Sequence, residues 1–278
     1  MATQRPPVCR TKPDGQARDG MNRFYDDIAA DYDRLWGDQE YAADELAFLR
    51  DLAGSGPALE VGVGTGRVAI PLSGTGLRVV GVDPSPGMLA VLAAKADNAE
   101  RANVEVLVND LRLTGVRGTY TLIYCVFHTF FYADSRADQK RFLERARDLL
   151  APGGRVVVEA YHAGASRLAR WADGIRLTEV SPEGCEYEIY RHDGEAQTVH
   201  VTWVRCDRER LRCSSWTERY VTPGQLDDLA TQAGLVSDQR WSTFGRAPFD
   251  ANARRFVAVY RLPSAGGAQA GGGREQRR

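Results

Sequence analysis

The sequence predicts an α/β protein built on an open, doubly wound, mostly parallel sheet with an inserted antiparallel cap. Three observations carry this. Strand-like and helix-like segments alternate from about residue 58 to 161, the order that builds parallel sheets through helical crossovers. Most of those strand segments are apolar at every position, as strands covered on both faces are. Beyond residue 173 the rhythm changes to short strands of alternating character separated by turn residues, which reads as an antiparallel meander.

The elements follow in order. Asp26 to Trp36 and Asp44 to Ala53 have helical spacing, with Ile28, Tyr32 and Leu35, then Leu46, Leu49 and Ala53, on one face. ALEVGV (58–63), LRVVGVD (77–83), NVEVLVND (103–110), YTLIYCVF (120–127) and RVVVEAY (155–161) are the strands. Ser85 and Pro86 suit the N-cap and first position of a helix. Ser135 to Leu150 is a helix stopped by Pro152, Gly153 and Gly154. Pro71 shortens or kinks the helix after Gly66, because a proline in a helix interior costs ~3 kcal/mol.

IRLTEV, CEYEIYRH, TVHVTWVRC and LRCSSWTERYV form the meander, inserted after the fifth strand. Thr222 to Gln225 has the form of a capping box and opens a helix that stops at Gly234. Strands near 236–244 and 255–261 pair as a hairpin. The organisation is thus a loose arm (1–20), an N-terminal helical segment (21–56), a core (57–172), a β cap (173–221), a C-terminal helix and hairpin completing the core (222–262), and a loose Gly-rich tail (263–278).

Composition narrows the function. The formal net charge of -1 offers no field that would gather nucleic acid. No stretch approaches the roughly 18 apolar residues of a membrane span, and the N-terminus lacks a signal-peptide core, so a cytoplasmic location is expected. The five cysteines form no C-x-x-C pair, and reduced thiols are expected. Glu159, His128 and His162 suggest no metal site, because Glu159 and His162 face opposite sides of an extended strand.

The chemistry concentrates at Glu60-Val61-Gly62-Val63-Gly64-Thr65-Gly66, where a strand gives way to a helix. Glycines there let the backbone approach a ligand, and the helix start offers free N–H groups. Taken alone, this is equally a dinucleotide site or a tight turn. Asp83, ending the second strand, is placed to accept the hydroxyls of a ribose. Asp110 ends the third strand on the same edge, where a carboxylate can accept from an adenine amino group. Glu60, beneath the glycines, suits a cationic ligand better than a pyrophosphate.

With these residues in view, the chain resembles the class I S-adenosylmethionine-dependent methyltransferases, particularly small-molecule, natural-product enzymes of actinobacterial type. The resemblance runs from about Phe24 to Leu262, through FYDDIAADYD, ALEVGVGTGRVAIPL, VVGVDPSPGML, Asn109-Asp110, CVFHTFF and LLAPGGRVVVEAY. It implies a Rossmann-like sheet of seven strands with the last antiparallel. It implies S-adenosylmethionine as cofactor, with Glu60, Gly62, Gly64 and Gly66 along its methionine and ribose part. Asp83 would hold the ribose, Pro84 and Met88 would lie beside the adenine, and Asp110 and Leu111 would contact the base. Tyr25 and Tyr32 would form a lid.

The expected reaction is transfer of a methyl group to an oxygen or nitrogen of a small molecule in secondary metabolism. Carbon methylation, a reaction of another type on the same cofactor, a nicotinamide-dependent oxidoreductase and a non-enzymatic cofactor-binding regulator are the alternatives. His128 and His162, after the fourth and fifth strands, are the candidate general bases. Phe127, Phe130, Phe131, Tyr132, Tyr161 and Trp171 suggest an apolar substrate wall, roofed by Trp203 and Trp216. The exposed strands of the meander make a homodimer plausible.

Overall fold

A computed structural model describes residues 16–36, 42–99, 103–208 and 210–264. Its centre is a seven-stranded sheet: β1 (Ala58–Val61), β2 (Val79–Asp83), β3 (Val104–Val108), β4 (Tyr120–Cys125), β5 (Leu150–Tyr161), β10 (Val236–Trp241) and β11 (Arg255–Arg261). They lie in the order β10-β11-β5-β4-β1-β2-β3. The pairs among β1 to β5 are parallel, and β11 runs antiparallel between β5 and β10.

The apolar runs of the sequence are explained by burial on both faces. Along β5, Val156, Val158 and Ala160 join one core with Phe142 and Leu143 of α6 (Arg136–Leu149) and Leu226 and Ala230 of α8 (Pro223–Gln232). Val157 points the other way, to Phe48 and Leu49 of α3 (Ala42–Ala53) and Leu72 of α4 (Ala69–Ser73). A strand that serves two cores is apolar along most of its buried length.

Strand order reverses at β1, which has β2 on one side and β4 on the other. A crevice opens at such a reversal beyond the carboxyl ends of the strands. The glycine turn follows β1, and Phe127 and His128 follow β4. The helix after β2, α5 (Pro86–Asp97), is capped as expected: Ser85 accepts from the Met88 N–H, with proline at the first position.

The second sheet is the cap: β6 (Gly174–Ser181), β7 (Gly184–Asp193), β8 (Thr198–Asp207) and β9 (Leu211–Arg219), antiparallel in that order. Its inner face carries Tyr190, Val201, Trp203, Trp216 and Glu218, all buried. Helix α1 (Gln16–Ile28) packs beneath it, with Phe24 stacked on Trp216 at 4.8 Å and set edge-on to Trp203 at 5.2 Å.

Several boundaries differ from the sequence reading. The first helix begins at Gln16, inside the segment expected to be loose; residues 1–15 and 265–278 lie outside the described residues. It ends at Ile28, and a turn closed by Asp31 N–H to Ile28 C=O (2.8 Å) separates it from α2 (Tyr32–Trp36). The break frees Asp33 to accept from Thr65 Oγ1 (2.6 Å) and Lys95 Nζ (2.7 Å). β5 starts at Leu150 instead of Arg155, because a register irregularity between Tyr120 and Leu122 accommodates Pro152, Gly153 and Gly154 within the strand. A short helix, α7 (Ala165–Trp171), follows β5 where none was expected.

The capping box at α8 offers a clean test. Thr222 N–H donates to Gln225 Oε1 (2.9 Å) and Gln225 N–H to Thr222 Oγ1 (3.3 Å). Thr222→Ala is expected to lower the unfolding free energy by about 1 kcal/mol. Urea denaturation measures this, with the denaturant slope unchanged.

Candidate active site

The carboxyl ends of β1, β2, β3 and β4 surround a cavity of about 260 Å³. The glycine turn forms one wall. Gly62 and Gly64 adopt φ of +79° and +52°, the left-handed region. A Cβ on Gly62 would lie 2.5 Å from Thr129 Cγ2, so side chain and turn would collide. A Cβ on Gly64 would meet nothing within 4 Å. Because Gly64 lines the cavity, that side chain would occupy ligand space.

Gly66 stands apart. It does not line this cavity, and a Cβ there would press on Leu92 and Ile70 at about 3.0 Å. Its bareness serves the close approach of α4 and α5. Glu60 is also removed from the wall. It is 2% exposed and accepts the Tyr124 hydroxyl at 2.8 Å. Burial pushes its pKa up to about 8, so the ligand-free protein holds it largely neutral, contrary to the negative charge expected from sequence. A cation brought near it would favour ionisation.

Asp83 faces the glycine turn. Its Oδ2 accepts the Gly64 N–H (3.0 Å) and its Oδ1 the Ser85 N–H (2.9 Å). Burial, only partly offset by these two donors, pushes the carboxyl up to about 6. Pro84, Met88 and Leu111 continue the wall beside Asp110. Asp110 accepts the Arg112 N–H at 2.8 Å, which fixes the turn after β3. Tyr25 and Tyr32 close the cavity from α1 and α2. The Tyr25 and Tyr132 hydroxyls are 3.0 Å apart. Three apolar side chains, two carboxyl groups and a bare glycine backbone make a set that fits an adenosine-bearing cofactor.

A second cavity of about 400 Å³ lies between the helical lid, α7 and the inner face of the cap. Tyr25, Tyr32, Phe127 and Tyr132 line both cavities, so the two spaces meet at these rings. Tyr161 and Trp171 join the wall of the second, and Trp203 and Trp216 roof it. Phe130 and Phe131 do not take part, because the 3-10 turn Thr129–Tyr132 directs them into the core.

Phe127 and His128 both have φ of 53°, an uncommon conformation for residues with side chains. The turn is held from behind. Glu159, 2% exposed, accepts the Phe127 N–H at 2.6 Å and pairs with Arg255 at 3.4 Å. His128 N–H donates to the Glu159 carbonyl at 3.3 Å. The strain sets the Phe127 ring between the two cavities.

The histidines divide. His128 lines the second cavity and stacks on Tyr161 at 4.3 Å. Burial pushes its pKa down to about 3, with Arg167 and Arg255 adding to the effect. It is therefore a neutral hydrogen-bonding group and a weak proton acceptor. His162 lines neither cavity. Its N–H bonds back to the Arg254 carbonyl (3.0 Å) and its ring packs edge-on to Phe249 at 5.2 Å. The chain turns along β11 at that point, carrying the side chain away from the crevice.

Sequence reasoning passed over Asn22 and Thr129 of the first cavity and Arg167, Glu188 and Glu218 of the second. Glu218 had a signal: it lies two residues from Trp216 on β9, and so shares the face of that tryptophan.

Glu60 yields a stability prediction. Its folded pKa lies above the unfolded value of ~4.3, so the folded state holds a proton that the unfolded chain has released. Stability from this group is complete below that value and is lost as pH rises toward 8. Glu60→Gln cannot ionise. In ligand-free protein its melting temperature is expected to fall less between pH 5 and 8 than that of the parent. At pH 8 the variant should be the more stable protein, as calorimetric melting would reveal.

Comparison with known proteins agrees with this geometry. Residues 58–154 match a family described as a methyltransferase domain. The CcbJ methyltransferase from Streptomyces caelestis is 32% identical, covering 86% of this chain and 98% of its own, with a TM-score of 0.78. An S-adenosylmethionine-dependent methyltransferase from Clostridium acetobutylicum shares the fold at 16% identity, over 87% of this chain and 100% of its own, with a TM-score of 0.72. A curated relative from Geobacillus sp. (strain WCH70), named as a methyltransferase, is 25% identical over 142 residues. That match spans 49% of this chain and 57% of the Geobacillus protein. With the crevice, its glycine wall and its acidic strand ends, these likenesses identify the chain as a member of the class I S-adenosylmethionine-dependent methyltransferases.

Proposed function

We propose that this enzyme methylates a nitrogen or oxygen of a small molecule in secondary metabolism, with the second cavity as the acceptor site. One observation carries the reading: the cofactor crevice and the cap cavity share Tyr25, Tyr32, Phe127 and Tyr132. A methyl group bound in one therefore borders a nucleophile bound in the other.

Gly62 and Gly64 would hold the methionine end of the cofactor, Asp83 the ribose, Met88 and Pro84 one side of the adenine, and Asp110 and Leu111 its edge. Bound there, S-adenosylmethionine supplies a methyl group already activated by its sulfonium. The protein's part is alignment and the exclusion of water. Tyr25 and Tyr32 cover the crevice, and Trp203 and Trp216 shut the acceptor space from solvent. His128 contributes a neutral hydrogen-bonding edge.

A cytoplasmic setting belongs to the same proposal, supported by the finding that no described helix is long and apolar enough to cross a membrane. So does pairing of two copies through the edge of the cap, supported by Ile175, Leu177 and Val180 of β6, which are 73%, 60% and 68% exposed.

Calorimetric titration with S-adenosylhomocysteine tests the cofactor assignments. Asp83→Ala is expected to weaken binding by roughly tenfold to a hundredfold, the loss of hydrogen bonds to a charged acceptor. Gly64→Val should abolish it. Affinity in the parent should be level above pH 7. It should then fall as Asp83 takes up a proton below about 6, by up to about tenfold per pH unit. Transfer of labelled methyl to a panel of amines and alcohols tests the acceptor atom. Cofactor binding with no labelled product from either class would sink the nitrogen or oxygen reading.

A further inference from the structure

The acceptor cavity carries a charge pattern that methyl transfer alone does not require. Glu179, Glu186, Glu188 and Glu218 face it from the cap, against Arg167 and Arg170 of α7. Two of the four are engaged. Glu186 pairs with Arg205 at 3.0 Å, and Glu188 accepts the Tyr190 hydroxyl. Glu179 lies on the exposed strand β6.

Glu218 differs from all three. It is 7% exposed, and its hydrogen bond among the described residues is from the Trp216 indole N–H, at 3.3 Å. An ionised carboxylate offers about four acceptor positions, and a buried one left short of donors is costly. The nearby cation does not supply them: the Arg167 guanidinium lies 3.7 Å from the centre of the Tyr161 ring, and no ion pair to Glu218 forms among the described residues. Glu218 thus faces the cavity with unmet acceptor capacity. The cavity it faces is lined with rings, Phe24, Tyr25, Tyr132, Trp203 and Trp216. Aromatic faces are electronegative and attract cations. Burial pushes the Glu218 carboxyl up to about 7, and a cation seated against it favours the ionised form, so a buried acid among aromatic rings suits an organic cation better than a neutral alcohol or an acid.

We propose that the acceptor cavity selects a protonated amine carried on an apolar body, its ammonium bound by Glu218 against the faces of Trp203, Trp216 and Tyr25. The inference rests on the reading of this cavity as the acceptor site. It adds a substrate class, basic amines, and a residue that determines specificity: for transfer to that nitrogen the ammonium first gives one proton to the Glu218 carboxylate, which frees the lone pair to form the bond to the methyl carbon as the carbon–sulfur bond breaks and S-adenosylhomocysteine leaves.

The test uses the full chain saturated with S-adenosylhomocysteine and two probes of one shape, 2-phenylethylamine and 2-phenylethanol, titrated calorimetrically at pH 7. The amine should bind at least tenfold more tightly than the alcohol. Glu218→Gln should lower amine affinity at least tenfold while leaving alcohol and S-adenosylhomocysteine binding unchanged. Glu218→Asp, which keeps the charge, should retain the preference for amine, and Glu195→Gln, on an exposed turn of the cap, should change nothing. Equal affinity for amine and alcohol overturns the proposal. So does an amine affinity indifferent to Glu218→Gln, or no binding of either probe to protein that holds S-adenosylhomocysteine. Labelled methyl transfer is scored separately: amine binding that depends on Glu218 but yields no methylated amine leaves the cation site standing and removes its role as acceptor site.

Discussion

One carboxylate ties the working parts of this molecule together. Asp83 takes the Gly64 N–H on one oxygen and the Ser85 N–H on the other, so the turn after β1 and the start of α5 share a single anchor. Ser85 extends the chain of bonds, donating from Oγ to Asp26 of α1 at 2.6 Å while capping Met88. Asp26 also accepts the Gly87 N–H at 2.9 Å. Crevice wall, α5 and α1 are thereby registered on one another through hydrogen bonds to charged acceptors, each worth about 1.5–3 kcal/mol. Both partners of Asp83 are neutral backbone groups, so its charge is held in place without being cancelled.

A second constraint acts at β4. Consecutive left-handed residues, Phe127 and His128, cost of order 1–3 kcal/mol each. The fold sustains them because Glu159 reaches from β5 to the Phe127 N–H and is itself braced by Arg255 on β11. The antiparallel strand far along the sheet therefore helps set an aromatic ring at the junction of two cavities. The same burial that makes Glu159 effective keeps His128 from acting as a strong base.

The sheet, its helices and the caps at Ser85 and Thr222 were legible in the sequence because each rests on local chemistry: apolar runs, a hydroxyl before a helix, a proline at its first turn. The crevice lining was legible at Gly62, Gly64 and Asp83 for the same reason, since glycines and an acid at strand ends have few other uses. What was hidden depended on distant partners. The break at Ala29 is made worthwhile by Thr65 and Lys95, which bind Asp33. Gly66 has the spacing of its neighbours but faces α5. His162 and His128 look alike as residues that follow strands, yet one turns along β11 and the other into a cavity. Glu218 has a visible phase on β9, but only the docking of α1 beneath the cap decides which phase faces inward.

The cap enters and leaves the core at two short crossings, one after Trp171 and one at Tyr220 to Thr222. Everything that would touch the cofactor's adenosine lies outside that interval, whereas Glu186, Glu188, Trp203, Trp216 and Glu218 lie within it. Selection could therefore rewrite the guest list of this enzyme one strand at a time while the donor machinery remained under separate constraint. With the acceptor site proposed here, the inserted sheet is the heritable record of what the enzyme accepts.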